Sequence, residues 1–135
     1  MNGRSTRIAL VGHCGPDSFM LRSAVGRTIL GVQVVFANDA RAVEAEFESA
    51  DLLLVNRVLD GEFESTGGVE LVRSLAARAK ATDQRVPALM LVSNFADAQE
   101  EAVAAGARPG FGKKEMNSER VRELIRAALG VPVTG

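Results

Sequence analysis

The sequence predicts an α/β domain built on a doubly wound, five-stranded parallel sheet with helices on both faces. Three observations lead there. Five times along the chain a short aliphatic run gives way to a longer segment of helical period, the rhythm of successive β-α units. The runs "DLLLV" and "VPALMLV" are apolar at almost every position, as strands covered on both faces must be. Gly12, Gly106 and Gly130 fall at the ends of periodic segments, where a chain turns.

Each element follows in order. "RIALVG" (7–12) reads as the first buried strand, closed by a glycine turn. A helix starting near Pro16 or Asp17 places Leu21, Ala24, Val25, Thr28 and Ile29 on one face, with Asp17 as its cap. "VQVVFA" (32–37) is the second strand, and Asp39 caps a helix carrying Val43 and Phe47 inward. The third strand, 51–56, runs into a loop rich in glycine and glutamate, "RVLDGEFESTGG". The helix after it has Val69, Val72, Leu75, Ala76 and Ala79 as its inner stripe. "VPALMLVS" (86–93) is the fourth strand, followed by a helix from about Asp97 to a left-handed cap at Gly106. A weak fifth strand is expected around 110–112. The last helix begins near Ser118, presents Val121, Leu124, Ile125, Ala128 and Leu129, and stops at Gly130.

Composition limits what such a domain does. A chain of 135 residues suits one domain, here 1–130, with the first six residues and the tail 131–135 as flexible ends. Sixteen basic and seventeen acidic residues give a net charge of −1, so no global field draws nucleic acid or an anionic membrane. Trp and Tyr are absent, which removes the usual platform for stacking bases. A single Cys forms no internal disulfide and suits a reducing, cytoplasmic compartment. No apolar run approaches membrane-spanning length.

In open parallel sheets the residues at the carboxyl ends of the strands line the functional crevice. Here those are Gly12-His13-Cys14, Ala37-Asn38-Asp39, Asn56-Arg57, Ser93-Asn94 and Gly112-Lys113-Lys114. "DLLLVN", "GGVELVRSL", "VPALMLVSNFAD" and "AVAAGARPGFGKKE", in that order and spacing, resemble the receiver domain of two-component response regulators over nearly the whole chain. The resemblance implies a flavodoxin-like sheet of order 2-1-3-4-5. It also implies a phosphoacceptor aspartate ending the third strand, and a Mg²⁺ held by that aspartate and an acidic pair ending the first. A Ser/Thr and a Lys would bind the phosphoryl oxygens, with an aromatic switch residue nearby.

The sequence departs from that pattern where charge is needed. The phosphoacceptor position falls on Asn56, whose carboxamide is a poor nucleophile, and the acidic pair falls on Gly12 and His13. Ser93 matches the switch hydroxyl, Phe111 lies near the aromatic position, and the family lysine is Lys113 or Lys114. The expected function is therefore a pseudo-receiver. It would be a signalling module without enzyme activity, cofactor or metal, acting through protein–protein contact rather than ordinary aspartyl phosphorylation. The family's partner surface, formed by the fourth helix, fifth strand and fifth helix, would present Arg120, Arg122 and Arg126 to a signalling protein or to a second copy of the chain.

The remaining residues have plain alternatives. The Asn56 amide either holds Ser93 or Lys113, or satisfies polar groups at a strand end. Asp60 and Asp17 are nearby acids, read as a loop residue and a helix cap in preference to metal ligands. "HCGPD" offers an anion loop, but His13 and Cys14 lack the second pair that a zinc site needs. Two other functions stay open at this point. One is a flavodoxin-like small-molecule or anion binder using residues 12–17; the other is a receiver phosphorylated at an unorthodox site.

Overall fold

A computed structural model describes residues 5–130; residues 1–4 and the tail expected at 131–135 lie outside them. The order is β1 (Arg7–Val11), α1 (Gly15–Thr28), β2 (Gln33–Ala37), α2 (Ala40–Ser49), β3 (Leu52–Asn56), α3 (Gly68–Lys80), β4 (Ala88–Val92), α4 (Ala96–Ala105), β5 (Arg108–Phe111) and α5 (Glu119–Leu129). The strands form one parallel sheet of order β2-β1-β3-β4-β5, the order implied by the resemblance. Thr6, expected in a flexible end, is instead tied to the edge strand, its carbonyl accepting from Gln33 N at 2.8 Å.

Strand alternation explains the continuous apolar runs. Ala9, Val11, Leu53, Val55, Leu89 and Leu91 face the layer of α2, α3 and α4. Ile8, Leu10, Leu52, Leu54, Met90 and Val92 face α1 and α5. In-register pairs such as Leu10 with Leu54 and Leu54 with Met90 keep each layer continuous across the central strands. β1, β3 and β4 are thus covered on both sides, and their carboxyl ends open at one rim of the sheet.

Local chemistry sets most helix ends as the sequence implied. Asp39 accepts from Ala42 N at 2.7 Å and starts α2, and Ser118 accepts from Val121 N at 3.3 Å and starts α5. Asp17 differs from expectation. α1 starts at an uncapped Cys14, with Pro in its first positions, and the Asp17 carboxylate is committed elsewhere. β5 begins at Arg108, two residues before the expected 110, and contains Pro109. An edge strand tolerates a proline because one of its sides makes no ladder bonds. Gly106 ends α4 at φ +124°, where a Cβ would come within 2.5 Å of Ala76 Cβ, so the glycine also lets α3 pack close.

Candidate functional site

The crevice at the carboxyl rim has two halves. In the first, β1 is followed by Gly12, which turns the chain at φ +73°. A Cβ there would lie 2.6 Å from Leu59 Cδ2, so Leu59 occupies the space a side chain at position 12 would need. His13 turns inward and is only 2% exposed. Its Nε2–H donates to Leu54 O at 2.9 Å, while Nδ1 is buried with no hydrogen-bond partner among the described residues. Burial away from water pushes the His13 pKa down to about 4, with Lys113 adding to the effect against the hydrogen bond to Leu54 and the charge of Asp17. His13 is therefore neutral at pH 7.

Asn56 ends β3 beside them. Its Nδ2 donates to Gly12 O at 3.0 Å and to Val58 O at 2.8 Å, using both amide hydrogens. It satisfies carbonyls at the strand end. No hydrogen bond joins it to Ser93 among the described residues. The loop that follows folds back over the rim. Leu59 N donates to Thr66 O at 2.7 Å, Asp60 N to Gly12 O at 2.9 Å and Glu62 N to Asn38 O at 2.8 Å. Gly61, at φ +125°, passes so close to Asn38 O that a Cβ would sit 2.2 Å from it. The loop lies across the ends of β1 and β2 and buries Leu59 at 5% exposure.

The second half keeps its polar groups. Ser93, at the end of β4, is 8% exposed and accepts from Phe95 N at 3.1 Å. Phe111, the expected aromatic position, is buried on β5 at 2%. After it Gly112 passes Asn94 so closely that no side chain fits, and the chain makes one 3₁₀ turn over Lys113–Glu115. That turn separates the two lysines. Lys113 Nζ donates to Asp17 Oδ2 at 2.7 Å and makes a long contact to Asn56 Oδ1 at 3.4 Å. The exposed Lys114 lines a different groove. The hydrogen bond from Lys113 holds the Asp17 carboxyl below the usual carboxylate range.

Three contacts at the site gave no signal in the sequence, although Asp17, Lys113 and Arg57 were each marked by position. Asp17 and Lys113 are 96 residues apart, and only the sheet order brings them together. Arg57 stacks over the Phe95 ring, 4.8 Å from its centroid, and roofs the crevice between β3 and β4. Gln99 Nε2 donates to the carbonyls of Leu91, Ser93 and Phe111, stitching β4 to β5 where their ladder is irregular.

The residues present do not fit the Mg²⁺ of the resemblance. A hard cation takes several oxygens at fixed geometry. Gly12 offers no side chain, His13 uses Nε2 internally, Asn56 directs hydrogens at its neighbours, and Asp17 is paired with Lys113. Among the described residues no three His, Cys, Asp or Glu side chains gather into a cation site.

Two cavities open at the rim. One of about 150 Å³ lies between Asn56, Arg57, Ser93 and Lys113. The other, about 900 Å³, runs between α4, β5 and α5 and is bordered by Phe95, Val103, Lys114 and Arg120. Phe95 and Val103 are exposed there at 57% and 44%. The three arginines expected on this face divide. Arg120 is exposed and donates to Glu115 at 2.8 Å, whereas Arg122 is half-buried against Glu119 and Arg126 reaches across to Thr28 O.

No protein-family model matches the chain, and no curated protein matches its sequence. Solved structures do match. The signal receiver domain of a DNA-binding response regulator from Colwellia psychrerythraea 34H superposes with a TM-score of 0.70 at 15% identity, over 93% of this chain and 99% of that one. A response regulator from Thermotoga maritima gives 0.69 at 15% identity, over 94% and 99%. The non-phosphorylated receiver domain of the stress response regulator RcsB from Escherichia coli gives 0.71 at 12% identity, over 98% and 99%. At such identities the likeness establishes the architecture: the fold is that of response-regulator receiver domains. No helix among the described residues is long and apolar enough to cross a membrane.

Proposed function

We propose that this domain is a pseudo-receiver, a signalling module that works through protein contact and does not take up phosphate by the ordinary aspartyl route. The observation that carries the reading is the state of Asn56. Its amide hydrogens are committed to Gly12 O and Val58 O, so the position acts as a structural clasp where the fold's reaction would need a nucleophilic carboxylate. Leu59 fills the neighbouring space, and Asp17, an acid beside the lysine, is tied to it.

The partner surface in this reading is the groove between α4, β5 and α5. Its apolar residues Phe95 and Val103 beside Arg120 and Lys114 suit a protein surface of mixed apolar and acidic character. A second copy of the chain is one such partner. The test of the central claim is intact mass after incubation with acetyl phosphate and Mg²⁺. Unchanged mass is expected. Addition of a phosphoryl group, at Asp17, Asp60 or elsewhere, would overturn it.

A further inference from the structure

The two edges of the sheet are finished differently. β5 carries Arg108 and Pro109 and pairs with β4 through an irregular ladder, features that discourage a further strand from adding to it. β2, with the sequence QVVFA, has no proline, glycine or charged side chain, and no strand lies beyond it among the described residues. Its ladder with β1 fixes which backbone groups are spare. Gln33 N donates to Thr6 O at 2.8 Å and Ala37 O accepts from Gly12 N at 3.1 Å, so in this register residues 33, 35 and 37 bond to β1. The N–H and C=O of Val34 and Phe36 point the other way, and nothing among the described residues bonds to them. The free edge stops at Asn38, whose carbonyl accepts from Glu62 N of the β3–α3 loop. The side chains along it are apolar. Phe36 lies beside Leu10 on the face that carries α1 and is 43% exposed, and Val34 is half-buried on the same face. Phe19 of α1 is 67% exposed. It sits about 200° around the helix from Asp17, which reaches toward Lys113 after β5, so Phe19 lies on the flank of α1 turned toward β2.

We infer that β2 pairs antiparallel with β2 of a second copy of this chain, about a two-fold axis at Val35, joining two five-stranded sheets into one. The strand is complementary to itself in that register. Val34 of each copy falls opposite Phe36 of the other, so the spare backbone groups meet as hydrogen-bonded pairs. The same register sets valine against phenylalanine on the α1 face, twice by symmetry, and aromatic with β-branched is a favourable pairing across neighbouring strands. Val35 meets its own copy on the opposite face, and no charged side chain of the strand is brought against another. The match of Val34 with Phe36 in both directions is what selects a second copy over an unrelated strand. The joint lies at the edge farthest from β5, so each copy keeps its α4–β5–α5 groove open and the dimer presents that groove twice. The pairing is independent of whether the domain takes up phosphate.

The test is sedimentation equilibrium of the whole protein over a concentration series. So short an interface sits at the weak end of specific association, and a dimer with a dissociation constant on the order of 0.1 mM is expected. Phe36→Lys changes an exposed side chain, leaves every β1–β2 bond in place and should weaken the dimer at least about tenfold. Phe36→Pro should do the same by removing an outward N–H that β1 does not use. Val103→Glu, in the α4–β5–α5 groove, should leave association unchanged. Hydrogen exchange reads the joint directly: the Val34 and Phe36 amides should slow as protein concentration rises, while Val35, already bonded to β1, changes little. A chain that stays monomeric at about 1 mM would overturn the inference. So would a dimer that Phe36→Lys leaves intact, whether or not Val103→Glu dissolves it.

Discussion

The exits of β1 and β3 and the exits of β4 and β5 lie side by side on one rim, yet they are finished in opposite ways. At the first pair the chain closes on itself. Asn56 holds the Gly12 carbonyl, Leu59 fills the space beside Gly12, and His13, bonded to Leu54 O, is held neutral by burial. At the second pair Ser93 and Lys113 still face a cavity, with Arg57 leaning in from the roof. The two halves of one rim can therefore be finished independently, because they are built on different strands. The closing is an active filling: the β3–α3 loop brings Leu59 into the space that a side chain at position 12 would need.

The comparison breaks most directly at Gly12. Gly12→Asp would force a side chain into a left-handed backbone, against Leu59, and bury a carboxylate beside a neutral imidazole. A loss of about 4 kcal/mol or more is expected in urea denaturation. An unchanged midpoint would show that the first half is less tightly filled than the distances imply. Leu59→Ala should cost about 3 kcal/mol by opening a cavity over β1. It should also raise hydrogen exchange at the Asp60 and Glu62 amides, which the loop currently ties to Gly12 and Asn38.

His13 gives the next effect through pH. Its folded pKa of about 4 lies below the ordinary 6.5, so the unfolded chain binds the extra proton between those values. Stability is full above pH 6.5 and falls as the solution is acidified toward 4. Between pH 7 and pH 5 this group alone removes about 2 kcal/mol, a slope that His13→Gln should flatten. Asp17 acts lower. Its depressed pKa places the loss of its pairing with Lys113 below the usual carboxylate range.

Asn56→Asp is smaller and more pointed. Two carbonyls lose their donors and face a carboxylate, while Lys113 gains a charged partner, for a net loss of about 1 kcal/mol. The intact mass should still not change with a phosphodonor, because one carboxylate restores neither the acidic pair nor the space under Leu59. Arg120→Ala marks the floor of the scale. It removes an exposed pair with Glu115 and should alter stability by less than about 0.5 kcal/mol, while weakening any partner bound at the α4–β5–α5 groove.

The strands were readable because burial on both faces leaves an unbroken apolar run, and the caps Asp39 and Ser118 because a short polar side chain before a helical period has one common use. The fifth strand was read late, at 110–112 instead of 108–111, since Arg108 and Pro109 carry no strand pattern and belong to β5 only by lying on β4. Asn56, Ser93, Gly12 and His13 were visible as candidates from their places at strand ends. What each of them touches was not. Asp17 read as a cap because a short acidic side chain at a helix start suits one, and Lys113 and Lys114 were both candidates until a 3₁₀ turn pointed one inward.

The sequence by itself determined the alternation of β and α, the two-faced burial of the central strands and the absence of a carboxylate at positions 12, 13 and 56. These are properties of local period and residue type, and they survive any arrangement of the elements. Only the tertiary structure decided that Leu59 would fill the space beside Gly12, that Asp17 would claim Lys113, and that Arg57 would lean over Phe95. Each of those is a contact between elements, or within a loop without period, and its partner is chosen by the order of strands in the sheet, which no local pattern encodes.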